Sequence, residues 1–313
     1  MISRRLIRIK IIQTLYAHFL NEDNIITTSQ SNLSHSLDKC YGLYYLMLQL
    51  PCDVAAYSRN KIDIAREKHL HTDEDINPNM RFVDNPIISY LENSSEISEY
   101  LGKNGLSWQG NGELIKTLFN SMSTKDYYIT YMNKPTCSFS DHRKFILNFY
   151  KNEIEECNML YDIVEEMSIY WVTELEYTAS HAMATISQIS ASQVSKVEEL
   201  ELLPKFKEAD DEEFARVLFI KAASERVKNL EYIESFIHNW DVERIAFMDK
   251  VIMLAALSEI RNFDSIPLSV TLNEYIEISK YYSTLKSKTF INGILDKIVA
   301  DMKAKNEISP SKL

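Results

Sequence analysis

The sequence predicts an all-α protein, and three observations carry that expectation. Glycine and proline are scarce: 6 Gly and 7 Pro, together 13 of 313 residues, about 4% against roughly 12% in average usage. A chain short of both punctuators favours long helices over tight turns. No β-branched run alternates with period two over a convincing length. Apolar residues instead recur at three- and four-residue spacing through much of the chain. With 45% hydrophobic content, the length suffices for two core-bearing units.

Composition also excludes classes. Cys40, Cys52, Cys137 and Cys157 are widely spaced with no CxxC pair, so a zinc ribbon or thioredoxin-like centre is not expected. No run of 18 apolar residues and no leader-type apolar segment occurs, so a reduced, cytoplasmic protein without a membrane span is expected. The net charge of −11 argues against non-specific nucleic-acid binding. Its distribution is uneven, however. Residues 1–20 hold Arg4, Arg5, Arg8 and Lys10 and no acid, and residues 280–313 hold seven lysines against Asp296, Asp301 and Glu307. An acidic body with basic ends is compatible with one focused anion-binding face, and equally with solubilising termini.

The first helix is expected over about residues 4–19. At 100° per residue, Ile12, Leu15, Tyr16 and Phe19 share one face, and Arg4, Arg5 and Arg8 fall on the same stripe one to two turns earlier. Unpaired arginines do not enter a core. The helix is therefore expected to overhang its bundle and present guanidinium groups, which grip phosphate bidentately and stack on bases. The competing reading pairs them with acids of a neighbouring helix.

Leu43, Leu46, Met47 and Leu50 form a stripe that should end at Pro51, with a second helix from Val54 to about Lys68. Residues 69–90, 102–112 and 132–142 read as loops from their Pro, Gly, Asp and Asn content. A shift of 69 superposes Phe145, Phe149, Tyr161, Val164, Met167, Trp171 and Glu174 on Phe214, Leu218, Leu230, Ile233, Phe236, Trp240 and Glu243, which suggests a degenerate duplicate of one helix pair at 143–190. Asp210–Glu213 reads as an acidic helix start, with a cation site as the weaker reading. Trp171 and Trp240 read as core anchors, and Cys157 as a small packed residue. Asp241 is a plausible N-cap for a helix containing Ile245, Met248, Ile252 and Ile260.

The last two helices should lie in Ile266–Ile298, IPLSVTLNEYIEISKYYSTLKSKTFINGILDKI, joined by a short polar turn. No catalytic constellation appears: no HExxH, GxSxG or phosphate-cradling glycine loop. His69 and His71 are expected to be solvent-exposed rather than metal ligands. No metal or other cofactor is implied.

The segments LNEY-x-E-x-x-K and K-S-K-x-FINGILDKI, the order W-x-x-x-R-x-x-x-x-D-K from Trp240 to Lys250, and RR-x-x-R-x-x-x-x-Q-x-LY from Arg4 to Tyr16 together resemble the NusB transcription antitermination family. The resemblance covers residues 1–20 and about 210–303. It implies a NusB-like helical bundle enlarged by an inserted helical region at 21–208, with the C-terminal domain at 209–313. It further implies a non-catalytic factor that binds boxA-type RNA together with ribosomal protein NusE in the transcription elongation complex, promoting ribosomal RNA transcription. By matching positions, Arg4, Arg5, Arg8, Lys10, Gln13, Lys286, Lys288 and Phe290 would contact RNA, and Tyr16 and Asp249 would face NusE. Asn273 and Glu274 would tie the helix start to a neighbour, and Asn292 and Gly293 would serve close helix approach. Rival readings are a helical protein-interaction scaffold and an RNA-binding accessory domain like those of some ribosomal RNA methyltransferases.

Overall fold

The computed structural model describes residues 1–21, 23, 25–70, 72–237, 245–284 and 286–312. It is all-helical: no strand occurs among the described residues, and an isolated parallel bridge joins Ile2 to Phe206. The contacts divide the chain into two compact units, one of residues 38–205 with Met1, the other of residues 2–37 and 206–313. No helix among the described residues is long and apolar enough to cross a membrane.

In chain order, α1 is Arg4–Leu20 and α2 is Ile26–Arg66. The expected break at Pro51 is absent: α2 continues through it for 41 residues. Proline removes one N–H and so strands the carbonyl four residues earlier. That carbonyl belongs to Met47, and the buried Tyr150 hydroxyl donates to it at 2.6 Å. The tertiary partner thus supplies the bond that proline cannot.

The unit of residues 38–205 continues with α3 Asp73–Ile76, α4 Pro86–Glu92, α5 Ser95–Asn104, α6 Gly112–Thr124, α7 Asp126–Asn133 and α8 Phe139–Phe149. A π-helical turn, Tyr150–Ile154, leads to α9 Asn158–Met167, a 3₁₀ turn Ile169–Trp171, α10 Leu175–Gln188 and α11 Ala191–Lys196. The expected loop at 69–90 is corrected at its end. Pro86 occupies the first turn of α4, where a missing N–H costs nothing, and Asn85 caps it by accepting from the Ile87 N–H at 2.9 Å. Asn104 closes α5 before Gly105, which takes φ 62°, the left-handed conformation that favours glycine at a C-terminal cap. The Trp171 indole is buried and donates to the Lys39 carbonyl at 2.6 Å. Cys157 is half-buried and sits just before α9 rather than within it.

The other unit adds α12 Asp211–Ser224, α13 Arg226–Glu234, α14 Phe247–Asn262, α15 Leu268–Tyr282 and α16 Ser287–Ala304. Every residue of α14 from Val251 to Ile260 is buried. A helix apolar on nearly all sides belongs in the middle of a bundle, and α1, α12, α13, α15 and α16 pack around this one. Both members of the sequence echo are helix pairs, α8 with α9 and α12 with α13. Its Trp240 and Glu243, the expected cap Asp241 and the histidine His71 lie outside the described residues.

Candidate nucleic-acid interface

The site builds from the N-terminus of α1. The Lys207 N–H donates to the Ile2 carbonyl at 3.1 Å, and Ser3 caps α1 by accepting from the Leu6 N–H. These bonds hold the start of α1 beside α12. The three arginines then diverge.

Arg4 pairs with Asp210 at 2.8 Å and Asp211 at 2.9 Å, its guanidinium 5.1 Å from the Phe214 ring centre. The acidic run therefore serves both the positive end of α12 and a cation of α1. Among the described residues no cluster of His, Cys, Asp or Glu could hold a metal ion.

Arg5 donates from Nε and Nη2 to the two oxygens of Glu274, each at 2.7 Å. Its side chain stays 57% exposed. The Arg5 hydrogen bonds hold the Glu274 carboxyl below the ordinary carboxylate range.

The expectation that all three guanidinium groups project beside the core is corrected at Arg8. Only 3% exposed, Arg8 donates through Nε and Nη2 to Glu259, again at 2.7 Å each. Glu259 is wholly buried and also accepts from Thr271 at 2.8 Å and Tyr275 at 3.0 Å. Burial opposes the Arg8 charge, and the Glu259 bonds more than offset it, so its pKa is raised. A buried charge pair is tolerable when its remaining lone pairs are filled in this way. Lys10 is likewise buried, and Gln13 is half-buried. Neither Arg8 nor Lys10 offers a charge to an external ligand.

In the turn before α16 and its first residues, Lys286, Lys288 and Thr289 are exposed and Phe290 is half-buried. Asp249 fixes this turn. It is 4% exposed, which corrects the expectation of a partner-facing carboxylate. It accepts from Ser287 Oγ at 2.8 Å and from Ser283 Oγ, while Ser287 Oγ accepts from the Thr284 N–H at 3.1 Å. Tyr16 is half-buried with its ring 5.2 Å from Phe247.

Charge from both basic segments acts on α15, where Arg5 is bonded to Glu274. Glu277 is held below the carboxylate range first by its hydrogen bond from Lys280, and further by the charges of Lys288 and Arg5. The charges of Arg5 and Lys288 thus both act on Glu277, one turn beyond the Glu274 that Arg5 grips. Glu277 and Lys280 are the last two named positions of LNEY-x-E-x-x-K, to which the sequence assigns no site role, although the i, i+3 spacing of Glu274, Glu277 and Lys280 places them on one helix face. Asn273 is exposed and makes no side-chain hydrogen bond among the described residues. Gly293 is also exposed, with nothing within 4 Å of the Cβ it lacks, which corrects the expectation of close helix approach. Asn292 donates to Asp296 at 3.0 Å on the same outer surface.

The NusB family model matches residues 177–300, from within α10 to within α16. Those residues are a NusB-family domain. The rest of the chain extends beyond that domain, and the match does not include α1. Curated relatives each named "Transcription antitermination protein NusB" agree. The Salinibacter ruber protein is 35% identical over 100 residues, covering 32% of this chain and 62% of its own length. The Natranaerobius thermophilus protein is 47% identical over 68 residues, 22% of this chain and 49% of its own length. The Chloroherpeton thalassium protein is 37% identical over 101 residues, 31% of this chain and 48% of its own length. The chain thus spans about half to three-fifths of the curated relatives it matches. No solved structure matches the chain.

The extension carries an open groove of its own, about 710 Å³, with Tyr127, Tyr131 and Phe145 among its lining.

Proposed function

We propose that this protein is a non-catalytic, cytoplasmic RNA-binding factor of transcription antitermination, which binds boxA-type RNA together with ribosomal protein NusE in the elongation complex and promotes ribosomal RNA transcription. The observation that carries the reading is that exposed Arg5 of α1 is seated on Glu274 of α15, while its charge and that of exposed Lys288 both act on Glu277 one turn on, in a unit that includes most of the NusB-family match.

The contacting residues are Arg5, Lys280, Lys286, Lys288 and Phe290, with Arg4 at the edge. Arg is suited to bidentate phosphate contact, lysines act as point charges, and an aromatic ring offers a base a stacking surface. Arg8 and Lys10 act from within, by seating α1. Asp249 acts from within by fixing the turn that carries Lys286 and Lys288. Tyr16 remains at the rim where a protein partner such as NusE can reach it.

The test is anisotropy titration of single-stranded boxA-type RNA with the full chain, with and without NusE, beside Arg5→Ala and Lys286→Ala/Lys288→Ala. Binding that strengthens with NusE and falls in both variants is expected. Unchanged RNA affinity in both folded variants excludes the face.

A further inference from the structure

We propose that Glu274 sets the RNA affinity of this face by occupying the Arg5 guanidinium in the free protein, and that an RNA phosphate takes its place on binding. This rests on the RNA-binding reading above. The Nε–Nη2 edge of a guanidinium is the edge that matches two oxygens of a carboxylate or a phosphate. On Arg5 that edge is filled by Glu274. A phosphate can grip it bidentately only by displacing the carboxylate.

The surroundings suit an exchange. Arg5 is 57% exposed, so a phosphate approaches from solvent without disturbing the core. Displacement does not leave Glu274 alone, because Arg8 Nη1 lies 3.9 Å from its Oε2, the oxygen that also accepts from Arg5 Nε. The two neighbouring arginines cannot exchange in the same way. Arg8 is closed inside the bundle on Glu259, and Arg4 is divided between two carboxylates, one of them fully buried. Of the three guanidinium groups, Arg5 alone combines an exposed fork, a single carboxylate upon it and a second cation within 3.9 Å of that carboxylate.

The experiment is a double-mutant cycle read by RNA affinity. Full-length wild type, Glu274→Gln, Arg5→Ala and the double variant are titrated with single-stranded boxA-type RNA at one fixed salt concentration. Glu231→Gln, an exposed acid on α13, removes the same charge elsewhere on the unit. Because surface ion pairs are weak, Glu274→Gln is expected to tighten binding by about two- to five-fold. That gain disappears in the Arg5→Ala background, and Glu231→Gln leaves affinity unchanged. Glu274→Asp, which withdraws the carboxylate by one methylene but keeps its charge, gives an intermediate gain and serves if Glu274→Gln fails to fold. Wild-type affinity in Glu274→Gln, a gain that persists without Arg5, or an equal gain in Glu231→Gln overturns the proposal while leaving the RNA-binding reading in place. Failure of every folded variant and of wild type to bind RNA overturns both.

Discussion

Arg8 and Glu259, 251 positions apart, meet as a buried bidentate pair with two hydrogen bonds of 2.7 Å. The pair joins α1 to the central helix α14, and Thr271 and Tyr275 of α15 complete it. One carboxylate thereby registers three helices. Lys312 closes the far side by donating to the Glu259 and Ile260 carbonyls.

Arg8→Ala should destabilise the protein strongly, since it abandons a buried carboxylate. A broken buried pair costs about 3–5 kcal/mol. Replacing both members by apolar residues, Arg8→Met with Glu259→Leu, should cost much less. Thermal unfolding of the two variants beside wild type checks this, and equal losses would show that the pair is not the unit of stability.

The RNA complex should be salt-sensitive to a modest degree. Three or four phosphate contacts predict a slope of log affinity on log salt of roughly −2 to −3, at about 0.7 per phosphate for a single strand. Lys286→Ala/Lys288→Ala should make the slope shallower by about 1.4. Affinity that does not change with salt contradicts an electrostatic face.

Asp249→Ala should weaken RNA binding without touching RNA. It frees Ser283 and Ser287 and loosens the turn that carries Lys286 and Lys288. Losing such buried bonds costs about 1–3 kcal/mol of stability. Affinity measured well below the melting temperature separates the local effect from unfolding, and wild-type affinity there argues against the positioning role.

Tyr150→Phe should cost about 1–3 kcal/mol, because the Met47 carbonyl is left without a donor inside the protein. Pro51→Ala returns an N–H to that carbonyl. The cost of Tyr150→Phe should therefore shrink in the Pro51→Ala background, and an unchanged cost in this cycle refutes the compensation.

The Arg5–Glu274 tie should be constant in neutral solution and fail in acid. The folded carboxyl lies below its ordinary value, so its stabilisation is fully present above about pH 4.3 and is lost as pH falls through the lower folded value. The stability difference between wild type and Glu274→Gln should be flat from pH 5 to 8 and vanish in stronger acid. A difference that varies across pH 5 to 8 would point to another group.

Scarce glycine and proline, and helical spacing of apolar residues, were enough to determine an all-α chain. The quoted motifs were enough to place the last two helices and to point to the family. Periodicity is local, so residues a few positions apart carry it. The fate of each charge was not local. Arg8 lies on the apolar stripe of α1, and Glu259 lies in the otherwise apolar stretch Val251–Ile260; each was visible, but only packing showed that they neutralise one another. The same holds at Pro51, where the breaker rule is sound locally and the hydroxyl of Tyr150 answers it at the Met47 carbonyl, 103 positions away from Met47 in sequence. Tertiary structure alone decided which arginine faces solvent, that the Asp249 carboxylate is buried on Ser283 and Ser287, and that Gly293 is open. Those outcomes depend on which side chains arrive from distant segments, and no spacing within one helix encodes that.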